Sequence, residues 1–205
     1  DTAPFTVLKQ QVLPAALSRV REARRPLRIW CAACSTGQEP FSIAMILAQM
    51  EQELQDTRVE IVATDFSAHA LARAKDGIYN HFEVQRGLPV QHLVKFFRPV
   101  PEGFQIVPEL YRRVSFQEIN LLEPFPLGGQ FDIVFCRNVL IYFDLATTRD
   151  VLERMSRSLH RGGTVFLGGT ESTLGITDAL ARVPGQASSI YRRPVDIEQV
   201  GKAVA

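Results

Sequence analysis

Residues 27–43, LRIWCAACSTGQEPFSI, taken with residues 61–65, IVATD, limit the folds open to this chain more than any other feature. Leu27-Arg28-Ile29-Trp30-Cys31 is a short apolar run of strand length. It gives way to Ala32-Ala33-Cys34-Ser35-Thr36-Gly37, a turn made only of small residues. Beyond it Phe41, Ile43, Ala44, Ile46 and Leu47 recur at helical spacing. Residues 59–64 form a second strand that ends in Asp65. Strand, tight turn, helix and strand make the unit of a parallel sheet wound with helices, and such sheets take ligands beyond the carboxyl ends of their strands.

The turn narrows the ligand. Small side chains let a ligand approach the backbone, and the first N–H groups of the following helix point at it without partners. A carboxylate at position 65 can accept both ribose hydroxyls of a nucleoside; the other reading of Asp65 is a cap on the next helix. Ala33, Ser35 and Gly37 stand where a dinucleotide site would carry G-x-G-x-x-G, and no glycine run offers to cradle a diphosphate. A nucleoside without phosphates is therefore expected, and S-adenosylmethionine meets that description.

The rest of the chain supports the same architecture. Phe5, Leu8, Val12, Leu13, Ala16, Leu17 and Val20 predict an opening amphipathic helix that ends at Arg24-Arg25-Pro26. Ser67 is placed to cap a helix that stops at Asp76-Gly77, with Tyr79 in the turn beyond, and residues 90–97 read as another helix. Turn-rich residues 97–103, with short strands at 104–107 and 112–116, predict an inserted antiparallel β-subdomain over 98–116. Alternation then resumes: residues 119–121 end a strand, 131–136 form a buried one, and 147–159 form a helix closed by Arg161-Gly162-Gly163. Residues 164–168 and 189–192 are further strands. The expectation is an α/β, Rossmann-like fold with a mainly parallel, doubly wound sheet over residues 1–205.

Composition excludes several functions. With 205 residues, 46% hydrophobic, 22% charged and a formal net charge of +1, the chain suits one domain and lacks the basic excess of a nucleic-acid binder. The local run Arg19, Arg21, Arg24, Arg25, Arg28 reads as a solvated face. No apolar run reaches membrane-spanning length and no signal peptide is visible, so a cytoplasmic location is expected. Cys31 and Cys34 form a C-x-x-C, which could be a redox pair or half a metal site. No second pair completes a zinc shell, and this one straddles a strand end, so buried thiols are expected and no metal.

Four strand ends carry polar residues: the Ser35-Thr36-Gly37 turn, Asp65, Asn120, and Arg137-Asn138. Glu39 follows in the first helical turn, where a carboxylate also suits the helix dipole. Residues 30–42, Ala63-Thr64-Asp65, Asn120-Leu121-Leu122 and above all FDIVFCRNVLIYFD at 131–144 resemble the CheR chemotaxis-receptor methyltransferases. Gly77-Ile78-Tyr79 and residues 163–172 are similar too. The resemblance implies S-adenosylmethionine-dependent methyl esterification of glutamates on the cytoplasmic helices of chemoreceptors, with S-adenosylhomocysteine as product. It implies cofactor contacts at Glu39, Asp65, Asn120, Leu121, Asn138 and Val139, an active-site tyrosine at Tyr142, and a β-subdomain that grips a receptor tail in some members. Ser35, Thr36 and Gly37 join the cofactor set. Arg137 is a candidate for holding a carboxylate, or for structural pairing with Asp132 or Asp144. The expected partner is a receptor helix, not nucleic acid, and the expected state a monomer. The family's N-terminal helical domain is expected to lie outside 1–205, which would leave these residues weakly active. Rival readings are a cofactor-binding docking module, a small-molecule methyltransferase of the same fold, and a C-x-x-C oxidoreductase.

Overall fold

The computed structural model describes residues 2–185 and 189–195. The chain opens with α1 (Ala3–Val7), which passes through a π-helical stretch, Leu8–Val12, into α2 (Leu13–Glu22). Pro14 lacks the N–H that would continue the helical ladder, and the wider turn lies just before it. Then follow β1 (Leu27–Ala32), α3 (Gln38–Gln49), α4 (Glu51–Leu54), β2 (Val59–Asp65), α5 (Ala68–Asp76), β3 (Ile78–Tyr79), α6 (His81–Gln85), α7 (Val90–Phe96), β4 (Phe97–Val100), β5 (Gly103–Ile106) and α8 (Pro108–Tyr111). The chain continues through β6 (Val114–Glu118), β7 (Phe131–Cys136), a 3-10 turn at Leu140–Tyr142, α9 (Leu145–Arg157), β8 (Leu159–Leu167), β9 (Ala181–Arg182) and β10 (Ile190–Arg192).

The main sheet has the order β6-β2-β1-β7-β8-β10-β9. Its first five strands are parallel, and β10 runs antiparallel to β8. The order reverses between β1 and β7, the point at which helices leave for opposite faces and a crevice opens. Side chains alternate across the sheet. Ile29, Cys31, Ile61, Ala63, Ile133 and Phe135 join the core under α2 and α3, while Trp30, Ala32, Val62, Val134 and Cys136 join the core under α9. Burial on both faces is why β1 and β7 read as mainly apolar runs, interrupted only by Arg28 and Asp132 near their starts.

A second sheet, β3-β5-β4, is antiparallel and stands apart from the first. Residues 97–106 supply two of its strands, whereas 114–118 pair with β2 in the main sheet.

Two expectations are corrected. Gly162 and Gly163 lie within β8 and do not close α9. That helix ends at Arg157 with Ser158 as its cap, and Leu159 already pairs with Phe131. Nor is the arginine run merely solvated. Arg25 makes a two-toothed bridge to the fully buried Asp132 at 2.8 and 2.9 Å, and Arg28 reaches Glu60 at 3.2 Å with further bonds to the carbonyls of Leu127 and Gly128. Arg21 donates to the carbonyls of Glu53 and Leu54. These arginines fasten the amino ends of the sheet, on the side away from the crevice.

Candidate active site

The turn after β1 is held by its neighbour strand. Cys34 N donates to Thr64 O, and Ser35 N donates to Asp65 Oδ2 at 2.8 Å. Asp65 Oδ1 accepts from Ser67 N at 2.9 Å. The cap of α5 is Ser67 itself, which accepts from Ala70 N, so Asp65 is not the helix cap. Ala33 and Ser35 take positive φ values of 56° and 50°, and Gly37 takes 92°. Such a turn leaves little room: a Cβ at 37 would stand 3.0 Å from the Ala74 Cβ and 3.1 Å from the Tyr79 hydroxyl. Tyr79, read as a turn residue, braces this loop by donating to Thr36 O at 2.8 Å.

Glu39, one residue into α3, lies 3.4 Å from the Arg137 guanidinium. Arg137 thus pairs with Glu39, whereas Asp132 is taken by Arg25 and Asp144 caps α9 by accepting from Thr147 N. Burial pushes the Glu39 carboxyl up to about 7 despite the opposing pull of Arg137, and Glu171 pushes it the same way. A cavity of about 570 Å³ opens beside this pair, lined also by Phe5, Lys9, Gln49 and His92.

The loop after β7 is held by a residue that the sequence did not single out, carried by the segment that follows β8. Glu171, 5% exposed, accepts from the backbone N–H groups of Asn138, Val139 and Leu140 at 2.8–3.0 Å, and from Gly168 N at 2.6 Å. Its signal was the chain position alone, just past the carboxyl end of β8.

The structure sets the expected residues at the carboxyl ends of four adjacent strands: 35–37 after β1, Asp65 on β2, Asn120 and Leu121 beyond β6, and 137–139 after β7. Ser35 and Asp65 bond directly. Ser35 and Asn138 are exposed, Asp65, Thr36 and Val139 half-buried. Asn120 is partly used by its own turn, accepting from Leu122 N and donating to Glu123, and Leu121 is buried. Tyr142 is 79% exposed on the 3-10 turn. Cys31, Cys34 and Cys136 are unbridged, buried thiols whose pKa values burial pushes up.

The donor set suits a nucleoside carrying an amino acid. Each Asp65 oxygen accepts one backbone N–H and keeps a lone pair for a hydroxyl. The ionisable Glu39 beside Arg137 matches a charged amino and carboxylate end.

Comparison with known proteins agrees. The family described as CheR methyltransferase, SAM binding domain, matches residues 1–188. Chemotaxis protein methyltransferase 1 of Pseudomonas aeruginosa is 42% identical over 196 residues, 94% of this chain and 71% of that protein. The chemotaxis protein methyltransferase of Vibrio parahaemolyticus is 40% identical over 195 residues, 94% of this chain and 70% of that protein. A TehB-like SAM-dependent methyltransferase from Corynebacterium glutamicum shares the fold at a TM-score of 0.50 and 12% identity, over 87% of each chain. On the strength of the family match and of relatives aligned over nearly its whole length, this chain belongs to the CheR family of S-adenosylmethionine-dependent methyltransferases.

Proposed function

We propose that the protein esterifies glutamate side chains on the cytoplasmic signalling helices of chemoreceptors, working in the cytoplasm as a monomer. The observation that carries this reading is the gathering of four polar loop tips at the carboxyl ends of β6, β2, β1 and β7. Among the described residues no helix is long and apolar enough to cross a membrane, in keeping with a catalyst that meets receptor helices from one side.

Asp65 takes the ribose hydroxyls, and residues 35–37 with Asn138 and Val139 hold the methionine end. Glu39 and Arg137 face its charged groups, and Asn120 and Leu121 flank the adenine. Bound S-adenosylmethionine supplies a methyl on a sulfonium that is its own leaving group. A glutamate side chain ordinarily titrates well below neutral pH, so it is ionised at pH 7 and needs no general base. The work left to the chain is alignment of the two reactants and exclusion of water from the charges that neutralise. Tyr142, exposed beside the crevice, positions the incoming carboxylate.

The test is calorimetric titration with S-adenosylhomocysteine, together with transfer of labelled methyl to chemoreceptor-bearing membranes. Asp65→Ala removes two hydroxyl acceptors worth about 1.5–3 kcal/mol each as charge-assisted bonds, a loss of at least about a hundredfold in affinity. Unchanged affinity would refute the ribose assignment, and label that resists mild base would refute an ester product.

A further inference from the structure

We infer that Glu171 is a positioning residue for methyl transfer: it clamps the backbone of the β7 loop and so sets where Tyr142 stands. The inference rests on the reading that Asn138, Val139 and Tyr142 serve the reaction.

Three successive backbone N–H groups, of Asn138, Val139 and Leu140, converge on this one carboxylate, Val139 and Leu140 on Oε1 and Asn138 on Oε2. Convergent N–H groups of this kind make an anion-binding nest, and here the anion is built into the chain. Asn138 turns the backbone for it with a φ of 59°, a left-handed value that asparagine tolerates better than most residues. The fourth donor, Gly168 N, ties the same carboxylate to the end of β8. Glycine is needed there: a Cβ at 168 would stand 2.6 Å from Glu171 Oε2 and 3.0 Å from Asn138 N. Two neighbouring strand ends are thereby locked through a single side chain.

The clamped segment leads straight into the 3-10 turn at Leu140–Tyr142. Tyr142 is 79% exposed, so packing of its own ring does little to place it. Its position comes from the backbone: Tyr142 N donates to Val139 O, Leu140 is buried, and Glu171 fixes the N–H groups of both. Displacing a catalytic side chain by an ångström can cost about a hundredfold in rate. Glu171 therefore acts through the backbone of residues 138–140.

The experiment compares Glu171→Gln, Glu171→Asp and Asp132→Asn in the full chain, reading Tm, the Kd for S-adenosylhomocysteine, and kcat on chemoreceptor-bearing membranes well below each Tm. Asp132 is the reference because it is a buried carboxylate on the same strand, bonded to Arg25 and the Arg28 N–H at the opposite end. Glutamine replaces one acceptor oxygen by an NH2 group that opposes the converging N–H groups. The expected result is a kcat loss of about a hundredfold for Glu171→Gln, with a smaller change in Kd and partial recovery of kcat in Glu171→Asp. Asp132→Asn should lower Tm and leave kcat unchanged. A Glu171→Gln protein that loses Tm as Asp132→Asn does, with kcat intact, would overturn the inference. Should that variant not fold, Gly168→Ala pushes the same carboxylate aside, and unchanged kcat there would overturn it equally. Asp65→Ala and Tyr142→Phe, measured alongside, report separately on the reading of the site: if Asp65→Ala alone is silent, the ribose assignment fails and the role of Glu171 stands, whereas a silent Tyr142→Phe beside a loss of kcat in Glu171→Gln would overturn the claim that Glu171 acts by placing Tyr142.

Discussion

Glu39 offers a test whose size follows from its surroundings. The side chain is 16% exposed, Arg137 lies 3.4 Å away, and burial still outweighs that attraction, leaving the carboxyl at about 7 against an ordinary 4.5. Cys31, Cys34 and Cys136, each within the field of Glu39, are thiols that burial pushes away from ionisation, and among the described residues Arg137 and Glu171 are the charged groups that act on Glu39. A carboxyl whose value rises on folding favours the folded state when protonated. Its contribution is fully present below about pH 4.5 and is lost as the pH rises through about 7. At 1.36 kcal/mol per pH unit the swing is about 3 kcal/mol. Urea denaturation of the wild type and of Glu39→Gln, which cannot ionise, isolates the effect from all other titrations. The wild-type stability minus that of the variant should fall by about 3 kcal/mol between about pH 4.5 and pH 8. A flat difference would refute the argument. The same group predicts a proton release. An amino group brought beside Glu39 favours the ionised form, so binding of S-adenosylhomocysteine at pH 7, where Glu39 is half protonated, should expel about half a proton. Calorimetric heats in buffers of different ionisation enthalpy measure it, and the signal should vanish in Glu39→Gln. Wild-type heats that do not depend on the buffer would show that the amino end of the cofactor lies elsewhere.

Three further outcomes follow from particular contacts. Asp132→Asn leaves Arg25 facing a neutral partner in a mostly buried setting and should cost about 3 kcal/mol by denaturation. Gly37→Ala forces a side chain into a left-handed φ of 92° and against Ala74 and the Tyr79 hydroxyl; a loss of about 1–2 kcal/mol is expected, with weaker S-adenosylhomocysteine binding in calorimetry. Tyr142→Phe changes an exposed hydroxyl, so stability should stay within about 0.5 kcal/mol while kcat falls; equal losses in kcat and cofactor affinity would contradict its assignment to the substrate side.

What the sequence disclosed and what it concealed divide along physical lines. Strands β1, β2 and β7 were legible because burial on both faces leaves mainly apolar runs, with polar residues only near their ends, and the residues that follow them were legible because chain order alone puts them there. Partners across the fold were not. Arg137 and Glu39 are 98 residues apart, Arg25 and Asp132 107, and no local pattern encodes either pair. Gly162-Gly163 looked like a helix stop because glycine usually marks one; here Phe131 pairs with Leu159 and draws the pair into β8.

Three carboxylates show how closure of the fold assigns roles that residue type cannot. A carboxylate offers about four acceptor positions. Glu171 spends all four on backbone N–H groups, and Asp132 spends three on Arg25 and Arg28, so neither is equipped to take hydroxyls from a ligand. Asp65 spends two, one per oxygen, and is half-buried at the crevice with the remainder in reserve. The acceptor capacity left after folding, more than the presence of an acid at a strand end, marks Asp65 as the residue that meets the ligand and Glu171 as the one that holds the loop in place.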